Sequence, residues 1–165
     1  MPALTAGTNA PDITLPDMEG KKFSLQEALK KGPVVVVFFK ISCPVCQFAL
    51  PYLERVHHAV RGKNASVVAV SQNNKRDTAA FLREYGITFP VLLDDPHRYP
   101  VSNAYGLTTV PTIFYIAPGG GIEVASVGWS RADLEDIARK LAERVNTSKI
   151  NVIRAGEEVP DFRGG

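Results

Sequence analysis

Three short stretches of this chain are apolar without interruption: Val34–Phe39, Val67–Val70 and Thr112–Ala117. A strand with one wet face alternates apolar and polar positions, so unbroken runs rich in β-branched and aromatic residues predict strands covered on both faces. Between the first two runs, Cys46, Ala49, Leu50, Leu53, Val56 and Val60 recur at intervals of three and four, the spacing of one helical face. That helix is expected from about Pro44 to Arg61. Pro44 suits its first turn, whereas Pro51 removes a hydrogen bond inside it and predicts a kink. A second helix reads from about Asp77 to Tyr85 and stops at Gly86, and an extended piece, Phe89–Leu93, runs into Asp94-Asp95-Pro96. Tyr99–Tyr105 predicts one or two helical turns. Thr112–Ala117 and Ile122–Trp129, on either side of Pro118-Gly119-Gly120-Gly121, read as a hairpin. A last helix opens at Ser130-Arg131-Ala132-Asp133 and turns Leu134, Ile137, Ala138, Leu141 and Val145 inward.

The order β, α, β, α, β, β, α puts a parallel crossover first and an antiparallel hairpin after it, so the expected fold class is α/β, with a mixed central sheet between helices. Upstream, Ala10–Ser24 is an extended segment turning at Gly20, and Leu25–Lys30 is a short helix; together they form an N-terminal extension. With 165 residues, 45% of them hydrophobic, the chain is long enough for one compact domain. The net charge of +2 comes from scattered Lys and Arg, which argues against a nucleic-acid partner. Met1–Pro16 holds neither a signal-peptide pattern nor the roughly 18 apolar residues of a membrane span. The expected location is cytoplasmic as the chain is written, and periplasmic or otherwise extracytoplasmic if a leader has been removed.

The chemistry concentrates in the only two cysteines, Cys43 and Cys46, in Cys43-Pro44-Val45-Cys46 directly after the first apolar run. A dithiol at a strand-to-helix junction interconverts with a disulfide, and a helix N-terminus favours the attacking thiolate. A Cys-x-x-Cys is equally half of a zinc site, which needs two further ligands. The candidates His57, His58 and His97 offer no second pair at zinc-like spacing. A redox pair, inert buried thiols and a metal site are thus the three readings, with redox first and no metal or other cofactor expected.

Ala10-Pro11-Asp12-Ile13-Thr14-Leu15-Pro16, the strand running into Cys43-Pro44-Val45-Cys46, Pro51, and Val110-Pro111-Thr112 together resemble the redoxin branch of the thioredoxin superfamily. Within it the likeness is to thiol-disulfide oxidoreductases of the cytochrome c maturation type, with the alkyl hydroperoxide reductase/thiol-specific antioxidant peroxiredoxins as neighbours. The resemblance spans about residues 7 to 145. It implies a thioredoxin-like three-layer α/β/α domain over 1–146, followed by a C-terminal tail, 147–165. It also implies Cys43 as exposed nucleophile, Cys46 as buried resolving cysteine, and Pro111 as a cis proline. Val110, Pro111, Thr112 and Pro44 would then form the substrate-binding surface.

Several positions depart from that pattern. Ser42 stands where many thioredoxins have Trp, Val37 where thioredoxin has a buried acid, and Ala49 where the cytochrome-maturation reductases have a glutamate. Both acids serve proton transfer around the resolving cysteine. The peroxiredoxin loop Pro-x-x-x-Thr-x-x-Cys is missing in either register: Phe39 and Cys43 precede Cys46, and Val36 and Lys40 precede Cys43, at the positions of the Pro and Thr. Lys40 is a candidate modulator of the thiolate, with an ordinary solvated strand end as its bland alternative.

The resulting expectation is a monomeric enzyme that exchanges a Cys43-Cys46 dithiol or disulfide with protein substrates and takes electrons from an unidentified donor. A thiol peroxidase with a degenerate loop and a redox-sensing binding module, with 146–165 as its exposed segment, are the alternatives. In that segment Ala155-Gly156-Glu157-Glu158-Val159-Pro160-Asp161-Phe162 matches Ala6-Gly7-Thr8-Asn9-Ala10-Pro11-Asp12-Ile13 at four of eight positions, read first as a coincidence of common loop residues, with a remnant or the beginning of a second module as the alternative.

Overall fold

A computed structural model of the protein describes residues 3–165. Its elements run β1 (Thr14–Pro16), β2 (Lys22–Ser24), α1 (Leu25–Leu29), β3 (Val34–Phe39), α2 (Pro44–Val60), β4 (Ser66–Ser71), α3 (Lys75–Tyr85) and β5 (Val91–Leu93). Then follow α4 (Pro100–Ala104), β6 (Thr112–Ile116), β7 (Ile122–Val127), β8 (Trp129–Ser130), α5 (Arg131–Arg144) and β9 (Phe162–Arg163). Five strands form the central sheet in the order β5-β4-β3-β6-β7. The first three are parallel and the last two antiparallel.

All six residues of β3 are buried, and their side chains alternate between two cores. Val35, Val37 and Phe39 join residues of α2, α3 and α5; Val34, Val36 and Phe38 join α1, β1 and Tyr105. This is the expected thioredoxin-like three-layer α/β/α fold. The N-terminal extension is a β1–β2 hairpin turned by Gly20 at φ +84°, and Tyr105 Oη pins it by donating to the Pro11 carbonyl at 2.6 Å. Among the described residues no helix is long and apolar enough to cross a membrane.

Several boundaries differ by one or two residues from the pattern read in the sequence, among them those of α3, α2 and the hairpin. α3 begins at Lys75 rather than Asp77, because Asn74 Oδ1 caps it by accepting the Asp77 amide at 2.8 Å. α2 ends at Val60, with Pro51 inside one continuous helix. The second strand of the hairpin stops at Val127: Gly128 takes φ +76°, a conformation side chains disfavour, and a Cβ there would lie 2.5 Å from the Arg163 carbonyl oxygen. Trp129 and Ser130 consequently leave the central sheet and pair with β9.

Residues 147–165 are held along the domain. Val152 is buried, and Arg55 of α2 donates to its carbonyl at 2.8 Å while gripping the Glu157 carboxylate bidentately at 2.7 and 2.8 Å. Trp129 Nε1 donates to the Pro160 carbonyl at 2.7 Å, and the Arg131 amide donates to the Asp161 carbonyl at 2.9 Å.

The Arg55 guanidinium holds Glu157 down at about 2, against an ordinary 4.5. A depressed folded-state pKa makes the contribution of this pair full above about pH 4.5 and lost as the pH falls through about 2. Protection factors of residues 150–165, corrected for the intrinsic pH dependence of amide exchange, are therefore expected to fall between pH 4.5 and 2 in the wild type. Glu157→Gln should show low protection factors already at pH 6, with little further change on acidification.

Candidate functional site

The chain leaves β3 through Lys40, Ile41 and Ser42, a turn fixed from both sides. Asn73 Oδ1 accepts the Ile41 amide at 2.9 Å, and Gln47 Nε2 donates to the Ile41 carbonyl at 2.9 Å. Cys43 is then the N-cap of α2, with extended backbone at φ −87°, and Pro44 opens the helix where an amide hydrogen has no partner to lose. The Cys43 sulfur does the work of a capping oxygen: Sγ accepts the Cys46 amide at 3.1 Å. From the other side, Cys43 Sγ donates to the Val110 carbonyl at 3.4 Å.

Both cysteines are free thiols, Cys43 partly exposed and Cys46 fully buried. Burial, then the hydrogen bond with Cys43, pushes the Cys46 thiol far up. Val37 and Ala49 lie in the same buried cluster as Cys46, so the two positions that hold acids in similar proteins contribute only hydrocarbon.

The sequence-predicted residues gather around this sulfur pair with one exception. The Val110-Pro111 bond is cis, and Thr112 is buried with its Oγ1 donating to the Thr109 carbonyl at 2.9 Å. Lys40 is the exception, for its Nζ lies over the Tyr99 ring, 5.9 Å from the centroid, in a cleft of about 200 Å³ beside Val110. A larger cleft, about 730 Å³, lies between α5 and residues 146–153 and includes neither cysteine. Among the described residues no three His, Cys, Asp or Glu converge as metal ligands, and His58 instead pairs with Glu54 at 3.0 Å.

Two parts of the site escaped the sequence reading. Trp129 packs edge-on against Phe48 and tilted against Tyr52, with centroids 4.8 and 5.1 Å away, and Arg163 lies 5.2 Å over Phe48. This aromatic group seats the 160–165 segment next to the dithiol. At the end of the segment, a Cβ on Gly165 would meet the Val110 carbonyl oxygen at 2.0 Å and Thr109 Oγ1 at 2.9 Å. Only the pair of glycines before and at 165 hinted at such an approach.

A profile of the AhpC/TSA family matches residues 6–125. The chain belongs to that family. Its relatives include the thiol-disulfide oxidoreductase ResA of Geobacillus thermodenitrificans, 30% identical over 76% of this chain and 71% of that protein. The ResA of Bacillus subtilis is 27% identical over 94% of this chain and 79% of that one. Among solved structures, the thioredoxin domain of a thiol-disulfide oxidoreductase from Bacteroides vulgatus superposes with a TM-score of 0.74 at 26% identity, covering 84% of this chain and 99% of that domain. Within the AhpC/TSA family the chain falls with the thiol-disulfide oxidoreductases.

The difference in burial predicts the order of thiol reactivity. In the reduced protein near neutral pH, iodoacetamide should modify Cys43 at least tenfold faster than Cys46, as read by peptide mapping over time. Preferential labelling of Cys46 would exchange their roles.

Proposed function

We propose that Cys43 and Cys46 carry out thiol-disulfide exchange with an extended protein segment laid along Val110-Pro111-Thr112. The observation that supports it is the unequal environment of one dithiol: a partly exposed Cys43 sulfur at a helix cap, and a Cys46 sulfur sealed one turn behind it. Cys43 attacks one sulfur of the substrate disulfide; the S–S bond breaks and the other substrate sulfur leaves as a thiolate. Cys46 then attacks Cys43 Sγ, releasing the second substrate thiol and leaving a Cys43-Cys46 disulfide. Burial keeps Cys46 protonated until that step, and with Val37 and Ala49 where an acid would stand, the departing substrate sulfur is the base that receives its proton. The same steps run in reverse, and the donor's reduction potential sets the direction.

The segment that ends against Val110 lies where this substrate would bind. In our reading, the substrate displaces Gly165, which crowds the Val110 carbonyl. Apparent affinity is then lowered by the fraction of molecules in which the segment is docked.

Three measurements test this. With a peptide disulfide, Cys43→Ser should abolish turnover, whereas Cys46→Ser should accumulate a mixed disulfide visible by intact mass. Stopped-flow oxidation of the reduced protein should be markedly slower with hydrogen peroxide than with that disulfide, since no Pro-Thr-Arg constellation surrounds the thiolate; the reverse order would favour a peroxidase. Deleting residues 161–165 should lower KM for a long peptide disulfide several-fold and leave KM for a small aromatic disulfide nearly unchanged.

A further inference from the structure

We infer that the cleft beside Val110 is a subsite for an acidic side chain of the substrate, carried one or two residues from its reacting cysteine. The inference rests on the thiol-disulfide reading of Cys43 and Cys46 and adds a specificity to it. The cleft opens at the carboxyl ends of the parallel strands β3 and β4, next to the antiparallel β6, the kind of edge at which α/β sheets bind ligands. Lys40 follows β3 directly and Gln72 follows β4 directly. Val110, which accepts the Cys43 thiol on one side, lines the cleft on the other. A chain laid along Val110 advances about 3.3 Å per residue, so a side chain close to its cysteine reaches the cleft.

The lining has the chemistry of a carboxylate receptor. Lys40 is its only charged residue, and Lys40 forms no ion pair among the described residues. The two acids just before α4 do not line the cleft: Asp94 is 1% exposed and accepts from the Ser102 amide and hydroxyl at 2.9 and 2.8 Å, and Asp95 accepts the His97 amide at 2.8 Å. Gln72 is the second indication. It is only 8% exposed, lines the cleft, and its carboxamide has no hydrogen-bond partner among the described residues. Its polar atoms are open to the cleft rather than sealed in the core, so the carboxamide is free to bond a ligand's polar group there. Its NH₂ and the Lys40 ammonium both donate, a pairing that suits carboxylate oxygens and repels a cation. The Tyr99 ring under Lys40 Nζ holds the ammonium at the mouth.

The test compares disulfide-linked peptides that differ at one position next to the cysteine, Glu, Gln or Lys, with kcat/KM measured for the wild type and for Lys40→Gln and Lys40→Glu. The wild type should favour the Glu peptide over the Gln peptide by about tenfold, the value of one charge-assisted hydrogen bond, mainly through KM. The Glu/Gln ratio should fall to about one in Lys40→Gln, and Lys40→Glu should favour the Lys peptide. Turnover of all three peptides at equal kcat/KM by the wild type, or an undiminished preference for Glu in Lys40→Gln, would overturn the subsite and leave the exchange reaction standing. No turnover of any peptide would remove the exchange reaction itself and the subsite with it.

Discussion

Six consecutive side chains of β3 are withdrawn from water on both sides of the sheet. At about 2 kcal/mol for each large apolar side chain buried, nothing else in so short a stretch competes with that preference. It fixes where the strand must stop, because Lys40 cannot follow Phe39 into the interior. It also fixes what comes next, since three residues of turn bring Cys43 to the cap of α2 and Cys46 to its buried face. The dithiol is thus placed by a hydrophobic constraint rather than by contacts between its own residues.

Elements governed by local pattern were legible in the sequence. The unbroken strands, the apolar face of α2 and the glycine-rich hairpin turn depend on residues within a few positions of one another, and they stand where the pattern put them. The elements that were missed depend on partners far along the chain. Gly128 looks like any loop glycine until the Arg163 carbonyl is beside it. Trp129 reads as the end of a strand, yet its ring is sandwiched between α2 and a segment about thirty residues later. Asn74 was hidden for a smaller reason, being one polar residue among several before α3, with only its side-chain geometry to single it out. Cys43, Cys46, Val110 and Pro111 were singled out by motif and resemblance, and the fold brings the Cys43 sulfur to the Val110 carbonyl. Gln72 carries no motif, and only its burial beside an open cleft distinguishes it.

The short echo between residues 6–13 and 155–162 acquires a spatial counterpart. Ala10 and Thr8 bond the β6–β7 turn through the Gly120 carbonyl and the Ile122 amide. Pro160 and Asp161 bond Trp129 and Arg131 at the opposite end of the same run of chain. The first segment bonds the start of β7 at the edge of the central sheet, and the second pairs with β8 outside that sheet.

The close approach of Gly165 to Val110 has a practical consequence for anyone building on this chain. Whatever is joined after residue 165 starts its path within a few ångströms of the dithiol. A purification tag or fusion partner placed there is an intramolecular ligand, present at an effective concentration in the millimolar range for a short flexible linker. Such a tether would compete with every substrate offered in solution. Position 165 is therefore a poor attachment point for a label in any assay of the dithiol.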